Sequence, residues 1–196
     1  LQPNLRKLES VIDDLLKKHE VKPGMLQGIG LAFPGIVNPL SKKIIATNKK
    51  YDDGPQLNLV EWASQKWNKT LYIENDARMA AVGEWKFGAG QGHHDILYLT
   101  LSTGIGGGVI SSDLLIEGSH GMATELGHVT VLPGGPICSC GVPGHLEAVA
   151  CGPAIAKYVR GQIATGRSSI LRSHSELSAR HVAEAANQGD ELAKET

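Results

Sequence analysis

The chain has 196 residues, with 19 basic and 20 acidic side chains and a formal net charge of −1. Balanced charge without a polybasic run argues against direct nucleic-acid binding as its main business. No apolar stretch approaches the roughly 18 residues of a membrane helix. The first residues also lack the charged-then-apolar order of a signal peptide, so the expectation is a cytoplasmic protein without a membrane partner.

In chain order, Leu5, Leu8, Val11, Ile12, Leu15 and Leu16 repeat at three and four, which predicts an amphipathic helix. Lys22-Pro23-Gly24 stops it. "LQGIGLAF" predicts a short apolar strand closed by Pro34-Gly35, and "KKIIAT" a further strand. Asn58, with Glu61 three residues on, caps a helix carrying Trp62 and Trp67. "TLYIE" is strand-like, "ARMAAVGEWKF" helical and "GAGQGHH" a loop. "DILYLTLS" predicts a buried strand, "GGVISS" another, and "HVTVL" a third in this half. Helical patterning runs from Leu146 to about Gln162, broken near Cys151-Gly152-Pro153, and the chain ends in a polar helix or helix pair from Ser178. Strands alternating with helices, then consecutive strands, predict an α/β protein of two lobes. The glycine loop at Gly88–Gly92 places the boundary between 1–91 and 92–196.

Four constellations carry chemistry. His128, Cys138, Cys140 and His145 follow the spacing H-x9-C-x-C-x4-H. Two thiolates and two imidazoles satisfy tetrahedral Zn²⁺ with no position left for water, the signature of a structural site. Such a metal replaces the core that a Gly/Pro-rich loop cannot supply. Two reduced cysteines and two unrelated histidines are the alternative. "LSTGIGGG" offers Ser102, Thr103 and the free backbone N–H groups of Gly104, Gly106 and Gly107, a turn able to cradle phosphate oxygens. It is neither a Walker loop nor a Rossmann fingerprint, and on its own it is equally a tight β-turn.

"IENDAR" puts Asn75-Asp76 where a strand gives way to a helix. There Asp76 is either an ordinary cap or a general base at a strand's carboxyl end. Glu125 and His128, three apart, share a face if one helical turn forms. A zinc on one nitrogen of His128 leaves the other for a ligand, and the same metal could draw Glu147 to the same place.

Together and in order, these motifs resemble the ROK family of sugar kinases and related repressors. "ENDARMAAVGE" is similar to the family's x-N-D-A-x-x-A-A-x-G-E segment, and "LSTGIGGGVI" to its second phosphate motif. "ELGH" fits E-x-G-H, "CSCGVPGHLE" is close to C-x-C-G-x-x-G-C-x-E, and "FPGIVNP" is similar to the family's P-G-I/V-V-D/N turn. The matches run from about residue 26 to about residue 160.

The resemblance implies an actin/hexokinase-like (ribonuclease H-like) fold of two lobes around a central cleft, here truncated at both ends. It implies transfer of phosphate from Mg²⁺-ATP to a hexose hydroxyl, as in glucokinase. Asp76 then stands as catalytic base. Asn75, Glu125, His128 and Glu147 contact sugar hydroxyls, Asn48 and Gly35 are further sugar contacts, and Ser102 to Gly107 hold nucleotide phosphate. His128, Cys138 and Cys140 match the zinc ligands, and His145 replaces the usual third cysteine. A homodimer follows from the same resemblance.

Arg78, replacing the family's usual Asn, could reach a phosphate or face solvent, and solvent is expected; Thr124 replaces a usual Gly. The family's opening Asp-x-Gly-Gly-Thr loop and its closing Gly-Gly adenosine motif are absent from these residues. The chain alone is therefore expected to be inactive as a kinase. Two alternatives stand beside the kinase: the sugar-sensing domain of a ROK-type repressor, and a zinc-stapled module without catalysis.

Overall fold

The computed structural model describes residues 1–47 and 51–196. Helix α1 spans Gln2–Lys18, with Pro3 in its first turn and Lys17 and Lys18 in its last, where cations complement the helix dipole. Strands β1 (Ile29–Phe33), β2 (Ile36–Asn38) and β3 (Lys43–Ala46) follow. Helix α2 (Leu59–Trp67) begins on Asn58, whose side chain accepts the Glu61 N–H, and ends at Asn68 in the left-handed region. Strand β4 (Leu71–Asn75) runs straight into helix α3 (Asp76–Phe87). Strands β5 (Ile96–Leu101), β6 (Ile105–Ser111) and β7 (Leu114–Leu115) form a three-stranded sheet in that order. Helices α4 (Leu146–Ala150), α5 (Gly152–Ala164), α6 (Ala179–Asn187) and α7 (Glu191–Lys194) complete the chain. No helix among the described residues is long and apolar enough to cross a membrane.

The chain divides into two compact units, one of residues 1–97 and 108–124, the other of residues 98–107 and 125–196. In the first, β1 and β4 pair in parallel from Ile29 opposite Leu71 to Phe33 opposite Asn75. This register delivers the end of β4 beside the Pro34-Gly35 turn. Phe33, Val37, Ile44, Leu59, Ala63, Leu71 and Ile73 form the core of the unit, and Leu1, Leu5 and Trp62 pack against it. The two indoles find acceptors on α1: Trp62 Nε1 donates to Glu9 at 2.7 Å and Trp67 Nε1 to Asp13 at 3.0 Å. In the second unit, Val159, Leu171, Val182, Ala185, Leu192 and Ala193 form the core. Its final helical stretch is a pair, broken at Gly189 and restarted by Asp190, which caps α7.

The "HVTVL" segment is not a strand. His128 closes a short 3₁₀ turn from Leu126, and only Thr130 makes an isolated bridge, to His145. The N–H groups of Val131 and Leu132 both donate to the Gly144 carbonyl. The alternation is there, but among the described residues only the Thr130–His145 bridge pairs with this segment, which is too little for a ladder. The short strand β2, inside "PGIVNP", is the converse, since three residues are too few to show a period.

Candidate active site

Asn75 and Asp76 sit at the start of α3. The Asn75 side-chain oxygen accepts the N–H groups of Ala77 at 2.9 Å and Arg78 at 3.1 Å, and its amide donates to the Gly35 carbonyl at 3.1 Å. One residue thus caps the helix and anchors the Pro34-Gly35 turn. Asp76 is exposed, with Oδ1 on the Ala77 N–H at 2.9 Å. Of the expected sugar contacts in this unit, Gly35, Asn75 and Asp76 come together. Asn48 lies outside the described residues.

Arg78 does not face solvent. It is 1% exposed, the largest of the fully buried side chains. Nε and Nη2 donate to Glu74 Oε1 at 2.8 and 2.5 Å, and the remaining N–H groups donate to the carbonyls of Gly121, Ala123 and Val37. The spacing of Glu74 and Arg78 at i,i+4 carried the signal, but an i,i+4 pair gives no sign of burial. Thr124 takes φ +64°, in the left-handed region, which accounts for the family's preference for glycine there.

In the second unit, one nitrogen or sulfur from each of His128, Cys138, Cys140 and His145 lies within 4.8 Å of all the others. The two Nδ1 atoms are 3.2 Å apart, Cys138 Sγ is 3.6 Å from His128 Nδ1, and Cys140 Sγ is 3.3 Å from His145 Nδ1. Zinc bonds of about 2.0–2.1 Å to nitrogen and about 2.3 Å to sulfur set tetrahedral edges of about 3.3 Å N···N and about 3.6 Å N···S. The donor set fits zinc in chemistry, and these three distances match such edges. His145 is buried at the start of α4 and Cys138 is buried, while Cys140 is exposed. Backbone bonds fold the loop back on itself, from Cys138 N–H to Val142 and from Gly144 N–H to Pro136.

Glu125 and His128 flank the 3₁₀ turn of Leu126–His128, with the His128 N–H on the Glu125 carbonyl at 3.0 Å. His128 turns Nδ1 toward the cysteines, which leaves Nε2 as its other ring nitrogen. Glu147, in the first turn of α4, reaches the glycine-rich turn. Its Oε2 accepts the Ile105 N–H at 3.1 Å, and Oε1 accepts the Ser139 hydroxyl at 3.3 Å. A side chain at Gly104 would collide with Oε2. Gly106 and Gly107 open β6, and Ser102 N–H bonds to the Gly104 carbonyl at 2.9 Å, closing the turn.

A cavity of about 530 Å³ opens beside that turn. Ser102, Thr103, Ser178 and Arg180 line it together with the apolar Leu101, Pro153, Ile155, Ala156 and Leu177. This size falls within the range of small-molecule sites, roughly 300–1,000 Å³. Sequence reasoning placed the hydroxyls but missed the cavity, whose walls come from residues some 50 to 80 positions downstream.

The ROK family matches residues 4–196. The chain belongs to the ROK family. It is 38% identical over 169 residues to a glucokinase of Thermotoga maritima, covering 84% of this chain and 53% of that one. Among solved structures it resembles a ROK family transcriptional regulator, a homologue of the E. coli MLC protein, with a TM-score of 0.84 at 28% identity, covering 96% of this chain and 47% of that one. It also resembles a ROK hexokinase from Thermus thermophilus, with a TM-score of 0.77 at 30% identity, covering 100% of this chain and 60% of that one. The chain spans about half the length of the curated relatives it matches. The ROK kinase-like α/β fold is thus established, and the family holds both sugar kinases and regulators.

Proposed function

We propose that this ROK chain carries the sugar-binding and second phosphate-binding parts of an ATP-dependent hexose kinase of glucokinase type. The observation that carries the proposal is the cavity beside Ser102-Thr103. A purine nucleoside matches its apolar walls, and the turn at its edge offers hydroxyls and N–H groups to phosphate.

Asp76 is the proposed general base. A sugar hydroxyl is a poor nucleophile until a carboxylate within hydrogen-bond reach accepts its proton. The freed oxygen attacks the γ-phosphorus of ATP, the bond to the β-phosphate oxygen breaks, and ADP leaves with Mg²⁺ on its phosphates. Asn75, Gly35, Glu125, His128 through Nε2, and Glu147 are proposed to match sugar hydroxyls, which both donate and accept. His128, Cys138, Cys140 and His145 would hold zinc, which supplies rigidity to the loop bearing these groups.

Calorimetric titration of the chain with Mg²⁺-ATP and with glucose, N-acetylglucosamine, N-acetylmannosamine and fructose tests the reading. Binding of ATP and of one hexose is expected, with ATP affinity lost in Ala179→Trp, which fills the cavity, and hexose affinity retained. Hexose binding with no ATP binding overturns the kinase and favours the second reading, the sugar-sensing part of a ROK regulator. That reading draws on the likeness to the solved regulator. The chain alone is expected to bind without turnover, and phosphorylation of a hexose by these 196 residues would contradict that expectation.

A further inference from the structure

The turn that edges the cavity carries no cation: residues 101–108 contain neither lysine nor arginine. Its hydroxyls and N–H groups can accept a phosphate by hydrogen bonding alone, whereas a nucleoside triphosphate brings several negative charges and Mg²⁺ cancels only part of them. Among the described residues, Arg180 is the sole charged side chain lining the cavity.

The backbone brings that charge beside the turn. Gly152 N–H donates to the Ser102 carbonyl at 2.9 Å. A side-chain carbon at Gly152 would lie 3.1 Å from that oxygen and 3.7 Å from Ala179 Cβ. The start of α6 therefore abuts the turn, and Arg180 is the next residue along. Ser178 fixes this start in place: its hydroxyl accepts the His181 N–H, and its own N–H donates to His181 Nδ1 at 3.2 Å.

The Arg180 side chain is 85% exposed, and its Nε donates to Glu184 Oε1 at 2.8 Å, one turn along α6. An exposed pair of this kind adds little stability. Its effect is on direction. With Nε committed to Glu184, Nη1 and Nη2 remain as a planar fork of N–H donors, and neither makes a hydrogen bond among the described residues. Such a fork matches two oxygens of one phosphate, which a lysine ammonium does not.

We propose that Arg180 is a phosphate-binding residue of the nucleotide site, supplying the cation that the Ser102–Gly107 turn lacks, and that Glu184 aims it. The proposal rests on the reading of the cavity as a nucleotide site. It deepens that reading, because recognition of the donor then depends on its phosphates as well as on the fit of the nucleoside to the apolar walls.

The test is calorimetric titration of the whole chain with adenosine and with Mg²⁺-ATP. Adenosine carries no phosphate, so it reports on the walls alone. The parent is expected to bind ATP more tightly than adenosine. Arg180→Gln should lower ATP affinity by about tenfold or more and leave adenosine within about twofold. Arg180→Lys keeps the charge without the fork and should recover part of the loss. Glu184→Gln should weaken ATP by a few-fold and leave adenosine unchanged. Raising ionic strength from about 0.05 M to about 0.5 M should narrow the gap between the parent and Arg180→Gln. Because the side chain is exposed, the urea midpoints of these variants should match the parent's, so a changed affinity is not a folding defect. Unchanged ATP affinity in Arg180→Gln overturns the proposal. An equal loss for adenosine also overturns it, since Arg180 would then be a wall of the cavity and not a phosphate ligand. A Glu184→Gln chain identical to the parent overturns the aiming role. A parent that binds adenosine and ATP equally overturns the phosphate role and leaves the nucleoside reading standing; a parent that binds neither overturns both.

Discussion

Glu147 holds the backbone N–H of Ile105 at 3.1 Å, so one carboxylate ties the glycine-rich turn to the loop of Cys138 and His145. The side chain leaves α4 in its first turn, and only a glycine at position 104 gives it room. Loss of the carboxylate leaves the Ile105 N–H without its acceptor, a cost of about 1–3 kcal/mol for a buried group. Glu147→Ala is expected to weaken both ATP and hexose binding. Glu147→Gln keeps a carbonyl for Ile105 and should spare ATP binding while weakening the hexose by about tenfold, since charge-assisted hydrogen bonds are roughly twice as strong as neutral ones. Calorimetry on both variants separates the two roles. Equal losses in both would mean that charge, and not the tie to Ile105, organises the turn.

Asp76 stands first in α3, and Asn75 does the capping. Asp76→Asn should therefore leave the helix end intact while removing the proton acceptor. Hexose affinity is expected to stay within a few-fold. Turnover, measured in an active ROK kinase bearing the same change at the matching position, should fall by about 10²–10⁴. Undiminished turnover there would remove Asp76 as base.

How much of this could be read from residues alone depended on how local the information was. Asn58 and Glu61, and Asn75 and Asp76, follow rules of a few positions, and the structure matches them, while the final helical stretch, open between one helix and two, proves to be a pair. The histidines and cysteines could be grouped because ligand chemistry constrains spacing, and their donor atoms do converge. Arg78 was misplaced because charge predicts exposure unless a partner is known, and its partners are carbonyls 41 to 45 positions away. "HVTVL" misled because alternation reports a half-buried face and not the existence of a neighbour to pair with.

The second unit has an acid-sensitive joint at Asp190. Its Oδ1 accepts the Ala193 N–H at 2.9 Å and caps α7, while Oδ2 accepts the Ile170 N–H at 2.8 Å. Burial raises its pKa, but hydrogen bonds from Ala193, Ile170, Ser169 and Leu192 outweigh burial and hold the carboxyl below its usual range. A depressed carboxylate contributes stability above its unfolded value of about 3.9 and loses it as pH falls through the folded one. Asp190→Ala is expected to cost about 1 kcal/mol at neutral pH. The gap to the parent should narrow in acid, as urea unfolding at both pH values will show. A gap independent of pH would mean that the carboxylate's charge has no part in the joint.

The zinc reading makes the sharpest demand on composition. His128 and His145 both turn Nδ1 inward, with a thiol beside each. Two imidazole nitrogens at 3.2 Å make at most one hydrogen bond between them, whereas a cation satisfies both at once. Metal analysis of protein purified without chelator should find one zinc per chain. His145→Cys restores the family's third cysteine and should retain it; His145→Ala and Cys138→Ser should lose it. Because Val129, Val131, Leu132, Ile137 and Val142 in the loop are exposed rather than packed into a core, chelation should raise hydrogen exchange from residue 128 to residue 145 by about tenfold. The core of Val159, Leu171, Val182 and Leu192 should stay protected. Hexose affinity should fall with the metal, since Glu125, His128 and Glu147 flank the loop it holds. Retained affinity in a zinc-free His145→Ala chain would separate the metal from the sugar site and leave the staple with a role in stability alone.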